Sequence, residues 1–259
     1  MSAINYHETA WSDLFPGNYL TMQCLQAAVL AVESSFDLGS AQRKRTLYRL
    51  DAGSGTDENL HWLLARDYQV LAKGFSGKRA KALAARVQRW DPYDPQCWLG
   101  RVTPTFDLGR PIDLLVKKRF HNGKWKHSYY VTTLTFPSKK AFMDSYNLRG
   151  GAEVEQFRND KSGLHLSARR KQRFIAQKSL ILLTDLAHNL LSDFRYRGLS
   201  DSPFAGWGLK RIVRDLLAVP GRLYFVARQL KRIELLETHP YADALTICFE
   251  KYYSSRFGG

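Results

Sequence analysis

Apolar and polar residues recur along this chain with two periods, one helical and one of strands. Residues 19–36, "YLTMQCLQAAVLAVESSF", place Leu20, Cys24, Ala27, Ala28 and Ala31 on one face of a predicted helix. "RTLYRLD" reads as a short strand ending at Asp51, "AGSG" as a turn, and "TDENLHWLLARD" as a helix capped by Thr56. "YQVLAKG" is a second strand and "SGKRAKALAARVQRW" a basic helix. Residues 20–90 thus run helix, strand, helix, strand, helix, the order of an α/β layer. Ahead of them, "NYHETAWSDLFPGN" reads as the end of a strand entering a Pro-Gly turn, which leads us to expect earlier strands in the intact domain.

From residue 91 the pattern changes. "DPYDP" interrupts the chain, and the strand-like runs "PIDLLVKKRF" and "KWKHSYYVTTLTF" flank "HNGK". Asn-Gly between two such runs predicts a hairpin, so residues 91–137 read as a β-rich insertion. Helical spacing returns at 138. "SARRKQRFIAQKSLILLTDLAHNLLSDFRYR" predicts one long amphipathic helix with a basic first turn and an apolar stripe that includes Ile181, Leu186, Leu190 and Leu191. The segment 207–250 holds "GWGLKRIVRDLLAV", a Pro-Gly turn, a short strand "RLYFVARQ" and a last helix. No internal repeat and no low-complexity run is present.

Composition adds a partner to this picture. A hydrophobic content of 44% in 259 residues predicts a folded globule of one large domain or a domain with an extension. Lys and Arg outnumber Asp and Glu by 39 to 24, a net charge of +15 that favours a polyanion, most simply nucleic acid. A membrane surface ranks lower, because no apolar span of membrane length accompanies the basic residues. Cys24, Cys97 and Cys248 are far apart and lack metal-site spacing. Cys24 and Cys248 lie among apolar residues and read as small buried side chains of a reducing, cytoplasmic compartment. "MSAINYHETAWSDLF" has no basic start followed by an apolar core, so no signal peptide is expected. The seven histidines show no HxH or HExxH spacing, and Walker, GxSxG and GxGxxG motifs are missing, which leaves hydrolase, kinase and dehydrogenase readings without support.

Two stretches carry candidate chemistry. Asp51 would stand at the C-terminal end of a strand, where open α/β sheets place their chemistry, and the small residues after it would let an ion or phosphate approach. An Asp that merely starts a turn has the same pattern. In "YNLRGGAEVEQFRNDK", Tyr146, Arg149, Glu153 and Lys161 fall within roughly a third of a helix circumference. That places an acid among cations and a phenol, suited to a divalent ion beside phosphates. A solvated helix face with an Arg149–Glu153 pair fits the spacing equally. Gly150 and Gly151 disturb the latter, since two glycines cost about 2 kcal/mol in a helix interior. Either the helix begins near Gly151, or a neighbouring backbone or DNA strand comes close there. "SGKRAKALAARVQR" and "SARRKQR" cluster cations near helix N-termini, against the dipole, so that phosphate or plain solvation must compensate. Trp125, Tyr129 and Tyr130 suit base stacking or cross-strand pairing.

Together these residues resemble a known family. "YNLRGGAEVEQFRNDK" is similar to the Tyr, Arg, Glu, Lys signature of DDE transposases of the insertion-sequence four type, closest to the branch named after insertion sequence 1380. "RTLYRLDAGSGTDENLHWLLARDYQVLAKG" resembles the family's strand with the second catalytic Asp, "LFPGN" the segment upstream, and "FIAQKSLILLTDLAHNLL" the helix after the catalytic Glu. The resemblance implies an RNase H-like α/β fold: a mixed sheet flanked by helices, a β-rich insertion at about 91–137 within a catalytic domain 1–196, and a helical C-terminal extension 197–259. It implies two-metal phosphoryl transfer with Mg²⁺ or Mn²⁺, Asp51 and Glu153 as carboxylate ligands, and Tyr146, Arg149 and Lys161 on the phosphates of a transposon end. Its implied partners are DNA, as transposon ends and target, and a second copy in a homodimer; nucleoid association in a bacterial cytoplasm follows.

Two departures mark the resemblance. The family's Lys follows its Glu by seven residues; here that position is Asp160, and Lys161 is one further on. Choosing Glu155 instead would rotate the register by about 200° and break the Tyr and Arg spacing. The family's first Asp lies on a strand upstream of "LFPGN", and neither Glu8 nor Asp13 stands where that strand is due. The expectation is therefore the C-terminal portion of a transposase that binds DNA without cutting it. The alternatives are a non-catalytic basic nucleic-acid-binding protein and, less favoured, a nuclease completed by a separate N-terminal piece.

Overall fold

The computed structural model describes residues 1–3, 8–168 and 171–257, with 149–158 and 257 described by their backbone alone. Two short strands, β1 (Ser2–Ala3) and β2 (Glu8–Thr9), precede helices α1 (Thr21–Ser35) and α2 (Ser40–Arg45). Strands and helices then alternate as β3 (Leu47–Leu50), α3 (Asp57–Ala65), β4 (Gln69–Lys73) and α4 (Gly77–Ala84). Four strands follow: β5 (Trp90–Asp94), β6 (Cys97–Val102), β7 (Asp113–His121) and β8 (Lys124–Thr132). Next come α5 (Lys139–Arg158), a π-helical turn Asn159–Gly163, a 3-10 turn Leu166–Ala168 and α6 (Phe174–Arg197). The chain ends with α7 (Leu209–Arg211) and a second π turn Ile212–Leu216, then β9 (Gly221–Val226), β10 (Gln229–Leu235) and α8 (Ala242–Phe257). None of the described helices is long and apolar enough to cross a membrane.

The chain forms two compact units, Phe15–Gly151 and Met1–Leu14 with Ala152–Gly259. The expected boundary at 196/197 falls inside the second of these, at the end of α6.

The first unit is built on one mixed sheet in the order β3-β4-β8-β7-β6-β5, with β3 and β4 parallel and every other pair antiparallel. The strands expected as an insertion continue the sheet of β3 and β4, because β8 pairs with β4 at Leu71↔Thr132 and Lys73↔Tyr130. Asn122 and Gly123 turn the β7–β8 hairpin with φ of 50° and 72°, as the Asn-Gly signal predicts. On one face Leu71, Leu99, Leu115 and Tyr130 bury Phe142, Met143 and Tyr146 of α5. The opposite face carries Tyr129, whose ring would lie 2.0 Å from any Cβ at Gly74 and whose hydroxyl accepts from Arg79 of α4 at 3.3 Å.

The buried stripe of α1 is Leu25, Ala28, Val29 and Val32, rotated from the expected one: Leu20 and Ala27 are exposed and Cys24 is half-buried. Leu and Val remove more apolar surface from water than the alanines do, and they set the facing side. Glu33 fixes the end of α1, accepting from Arg66 Nε (3.1 Å) and from the Tyr68 hydroxyl (2.7 Å). Burial pushes its carboxyl up, and the Arg66 and Tyr68 hydrogen bonds outweigh that and hold it below the usual range.

In the second unit α6 starts at Phe174, so "SARRKQR" precedes the helix and its cations do not load the first turn; Arg169 and Arg170 lie outside the described residues. The expected apolar stripe is also corrected. The helix buries Thr184, His188 and Ser192 with Phe194, while Leu186 and Leu190 are exposed. The polar edge is turned inward because it meets backbone that needs partners: Asn189 accepts from Thr9 N–H (2.7 Å) and donates to the Thr9 carbonyl (2.9 Å). The apolar core lies at the other end of α6, where Phe194, Leu199, Ile212, Leu216, Leu245 and Cys248 pack together. Asp193 ties α6 to α8, accepting from Arg197 (2.7 Å), the Tyr252 hydroxyl (2.8 Å) and Arg256 (2.9 Å). The single strand expected near 222–229 is the hairpin β9–β10, turned by Ala227 and Arg228 at φ of 49° and 64°.

Gly123→Ala meets open space around its Cβ but keeps φ at +72°. The expected cost is about 1–2 kcal/mol of left-handed backbone strain, measured by denaturant unfolding.

Candidate functional site

Asp51 follows the last residue of β3 and is exposed at the C-terminal end of the parallel pair. Its Oδ1 accepts from Ser54 N–H at 3.1 Å and its carbonyl from Gly55 N–H at 2.9 Å, so it does start a turn. The smallness of that turn serves the chain itself. A Cβ on Gly55 would lie 2.0 Å from the Lys73 carbonyl oxygen, and one on Gly53 would lie 3.3 Å from Asp51 Oδ1. Gly55 in turn accepts from Phe75 N–H at 3.1 Å, locking the turn to the end of β4. Buried Asn59 finishes the clamp, donating to the carbonyls of Met22 (3.0 Å) and Ser54 (3.2 Å). The Thr56 hydroxyl accepts from Asn59 N–H at 3.3 Å, the N-cap that the sequence predicts. The two readings of Asp51 are therefore compatible: it caps a rigid turn and still presents a carboxylate to solvent.

Helix α5 runs unbroken through Gly150 and Gly151, so it does not begin near Gly151. The two glycines coincide with the division between the units, after Gly151. Tyr146 is 7% exposed, its ring 4.7 Å from and edge-on to that of Tyr130. The side chains of Arg149 and Glu153 lie outside the described residues.

Lys161 is exposed on the π turn, where Leu164 N–H reaches back five residues to the Asn159 carbonyl at 2.9 Å. A π turn takes in one residue more than an α turn. That extra residue falls where the sequence carries Asp160 at the seven-residue offset from Glu153 and Lys161 at the eighth. Asp160 points inward, 6% exposed, with its Oδ1 2.9 Å from Nδ1 of His188 on α6, itself 2% exposed. Asp185, hydrogen-bonded to Ser12, lies close enough to feel the Asp160 charge. Burial, with Asp160 adding to it, pushes the Asp185 carboxyl above its ordinary value despite Ser12 and the amino terminus. Lys178 pairs with Asp13 at 2.7 Å beside them and holds that carboxyl low. Sequence reasoning did not foresee this buried network. Its signal was the polar row Thr184, His188, Ser192 at four-residue spacing inside an apolar helix.

No group of three or more His, Cys, Asp or Glu side chains placed to hold a metal is found among the described residues. The donor chemistry of Asp51, an exposed carboxylate oxygen at a strand end, suits a hard divalent cation.

A mixed sheet flanked by helices, with a carboxylate at the end of its parallel pair, is compatible with the RNase H-like domains that process nucleic acid. Residues 108–256 match the family model described as transposase DDE domain group 1, and the chain belongs to that family. DNA is the partner that membership implies. No curated protein matches the chain.

Asp160→Ala leaves the buried His188 nitrogen without its partner, and a loss of about 1–3 kcal/mol is expected in chemical denaturation. Asp185 supplies a pH test. A carboxyl whose folded pKa is raised binds its proton more tightly when folded, so its contribution is complete below the unfolded value near 3.9 and is lost as pH rises through the folded value. Asp185→Asn is expected to match the parent in melting temperature at the acid end of that window and to exceed it progressively towards neutral pH.

Proposed function

We propose that the chain is the DNA-binding and catalytic portion of a DDE transposase of the insertion-sequence four type, in the branch named after insertion sequence 1380, cutting and joining DNA strands by metal-dependent phosphoryl transfer. The observation that carries this reading is the exposed carboxylate of Asp51 at the end of the parallel strand pair, in a chain of the DDE family. Asp51 and Glu153 are the carboxylates assigned to Mg²⁺ or Mn²⁺. When bound, such ions neutralise charge on the scissile phosphate and lower the pKa of an attacking water or 3′-hydroxyl. Asp51 holds its position through the rigid turn, with one oxygen occupied by Ser54 N–H and the second facing solvent. Lys161 binds a phosphate of the transposon end from the outer side of the π turn, and Arg149 binds another. Tyr146, largely buried, reaches a phosphate only through the small part of its surface that is exposed.

Two carboxylates leave a two-ion site short of negative charge. On this reading a further acid arrives on a strand paired to the outer edge of β3, which no other described strand occupies. A second reading, a basic DNA-binding protein with no chemistry, is favoured by the net charge of +15, which needs no carboxylate to act. A homodimer and a place on the bacterial nucleoid belong to the first reading.

Mn²⁺ titration of the protein and of Asp51→Asn separates the two. The transposase reading expects at least a tenfold loss of Mn²⁺ affinity in the variant, with metal-free DNA binding unchanged. Equal Mn²⁺ affinity in both would leave the binding protein as the answer.

A further inference from the structure

The hairpin β7–β8 and helix α4 enclose an open pocket of about 630 Å³, lined by Gly77, Lys78, Lys81, Lys124, Trp125, Lys126 and His127. No acid lines it. Residues 117–127 contain five Lys or Arg and no Asp or Glu, and Arg119 stands directly across the strand pair from Lys126. Like charges in that position destabilise a hairpin. Lys78, Lys81, Lys124 and Lys126 are exposed, and among the described residues none of them makes an ion pair. Arg79, by contrast, is withdrawn: both its terminal nitrogens bond Asp57, at 2.5 and 2.7 Å, and its guanidinium lies 4.3 Å from the Phe106 ring centre.

The remaining polar groups of the pocket favour an anion too. Helix α4 has no acid in its first turn. Ser76 caps Arg79 N–H at 3.2 Å, and the first-turn amides of Gly77 and Lys78 have no acceptor within the helix. A Cβ at Gly77 would meet nothing within 4 Å, so the space beside the first residue of α4 is open. Nδ1 of His127 is buried without a hydrogen-bond partner. Burial above all, with Lys118 and Lys81 adding to it, holds that imidazole below its ordinary pKa. The aromatic groups pack on one another, although Phe120 and Trp125 are also exposed. Trp125 is edge-on to Trp98 and Phe120, each at 5.2 Å, and the ammonium of Lys118 lies 4.4 Å from the Trp90 ring centre.

The location matters as much as the charge. β3 and β4 are parallel, so Asp51 and the start of α4 leave the sheet at the same end, joined by the Phe75–Gly55 hydrogen bond. β8 is antiparallel to β4 and pairs with it from Tyr130 onward, so Lys124, Trp125 and Lys126 project beyond that same end.

We propose that this pocket is an anchor for the DNA phosphate backbone, formed by Lys78, Lys81, Lys124, Lys126 and the first-turn amides of α4, which lays the duplex across the Asp51 end of the sheet. The anchor rests on the transposase reading for its choice of DNA, and it works without divalent metal or cleavage. Its test is metal-free binding of a fluorescent 30-base-pair duplex over a series of salt concentrations. The double variant Lys81→Glu, Lys126→Glu is expected to lose at least tenfold in affinity. The slope of log K against log salt should fall by about 2, one unit for each phosphate contact removed. Lys210→Glu with Lys231→Glu, equally exposed cations of the other unit, should change affinity less than threefold. The anchor is overturned if the first pair leaves affinity and slope unchanged, if the control pair matches its loss, or if the parent protein prefers phosphatidylserine vesicles to DNA. Loss of binding in the first pair alone, in a protein whose Asp51→Asn variant keeps its Mn²⁺ affinity, would sustain the anchor while ending the catalytic reading.

Discussion

The approach of Gly55 to the Lys73 carbonyl sets the geometry of the functional end of the sheet. No side chain fits there, since a Cβ would stand 2.0 Å from a backbone oxygen that is itself fixed in β4. With that contact in place, the turn after β3 has one path. Asp51 must accept the Gly55 and Ser54 amides, Phe75 must donate to Gly55, and α4 must begin two residues later. One backbone contact thus positions both the carboxylate assigned to chemistry and the helix start assigned to phosphate. The small residues after Asp51 first suggested room for a ligand. They turn out to be the condition for two strands and two helices to meet, and the ligand's room lies beside them.

The second unit solves a different problem. A helix rich in leucine would ordinarily bury its leucines, yet α6 turns Thr184, His188 and Ser192 inward. The reason is the cost of leaving backbone and carboxylates unpaired: each buried polar group without a partner costs more than one exposed leucine forfeits. Asn189 satisfies both backbone groups of Thr9, His188 satisfies Asp160, and Ser12 satisfies Asp185. The π turn belongs to this network. It swings Asp160 to His188 and leaves Lys161 outside, so the residue seven positions after Glu153 is the one the core needs.

Much of the first unit was legible because its signals are local. Asn-Gly dictates a left-handed turn, Thr56 offers an oxygen to the third amide of α3, and strand patterns alternate with helical ones. What could not be read was non-local or lacked a marker residue. The pairing of β8 with β4, which joins the strands of residues 91–137 to the α/β layer in one sheet, depends on partners about 60 residues apart. The β9–β10 turn uses Ala227 and Arg228, residues that carry no left-handed preference, so one strand was read where two exist. The polar face of α6 was hidden because hydrophobic periodicity assumes an apolar neighbour. Asp51 was found by its place at a strand end, whereas the pocket over α4 required knowing that "SGKRAK" and "KWK" meet in space.

The basic hairpin then takes its meaning from electrostatics in the folded chain. Cations spread evenly over a surface repel weakly and need no explanation. Here Arg119 faces Lys126 across one strand pair, Lys118 lies among three tryptophans, and Lys78 and Lys81 approach the same pocket from a helix that already presents positive amide groups. Each neighbour raises the cost of the next, and an extended anion entering the pocket would offset that repulsion. A single phosphate ion would satisfy one corner of a pocket this size. A polymer with a charge on each strand every few ångströms satisfies all of it, and its direction is set by the hairpin that projects past the carboxylate of Asp51.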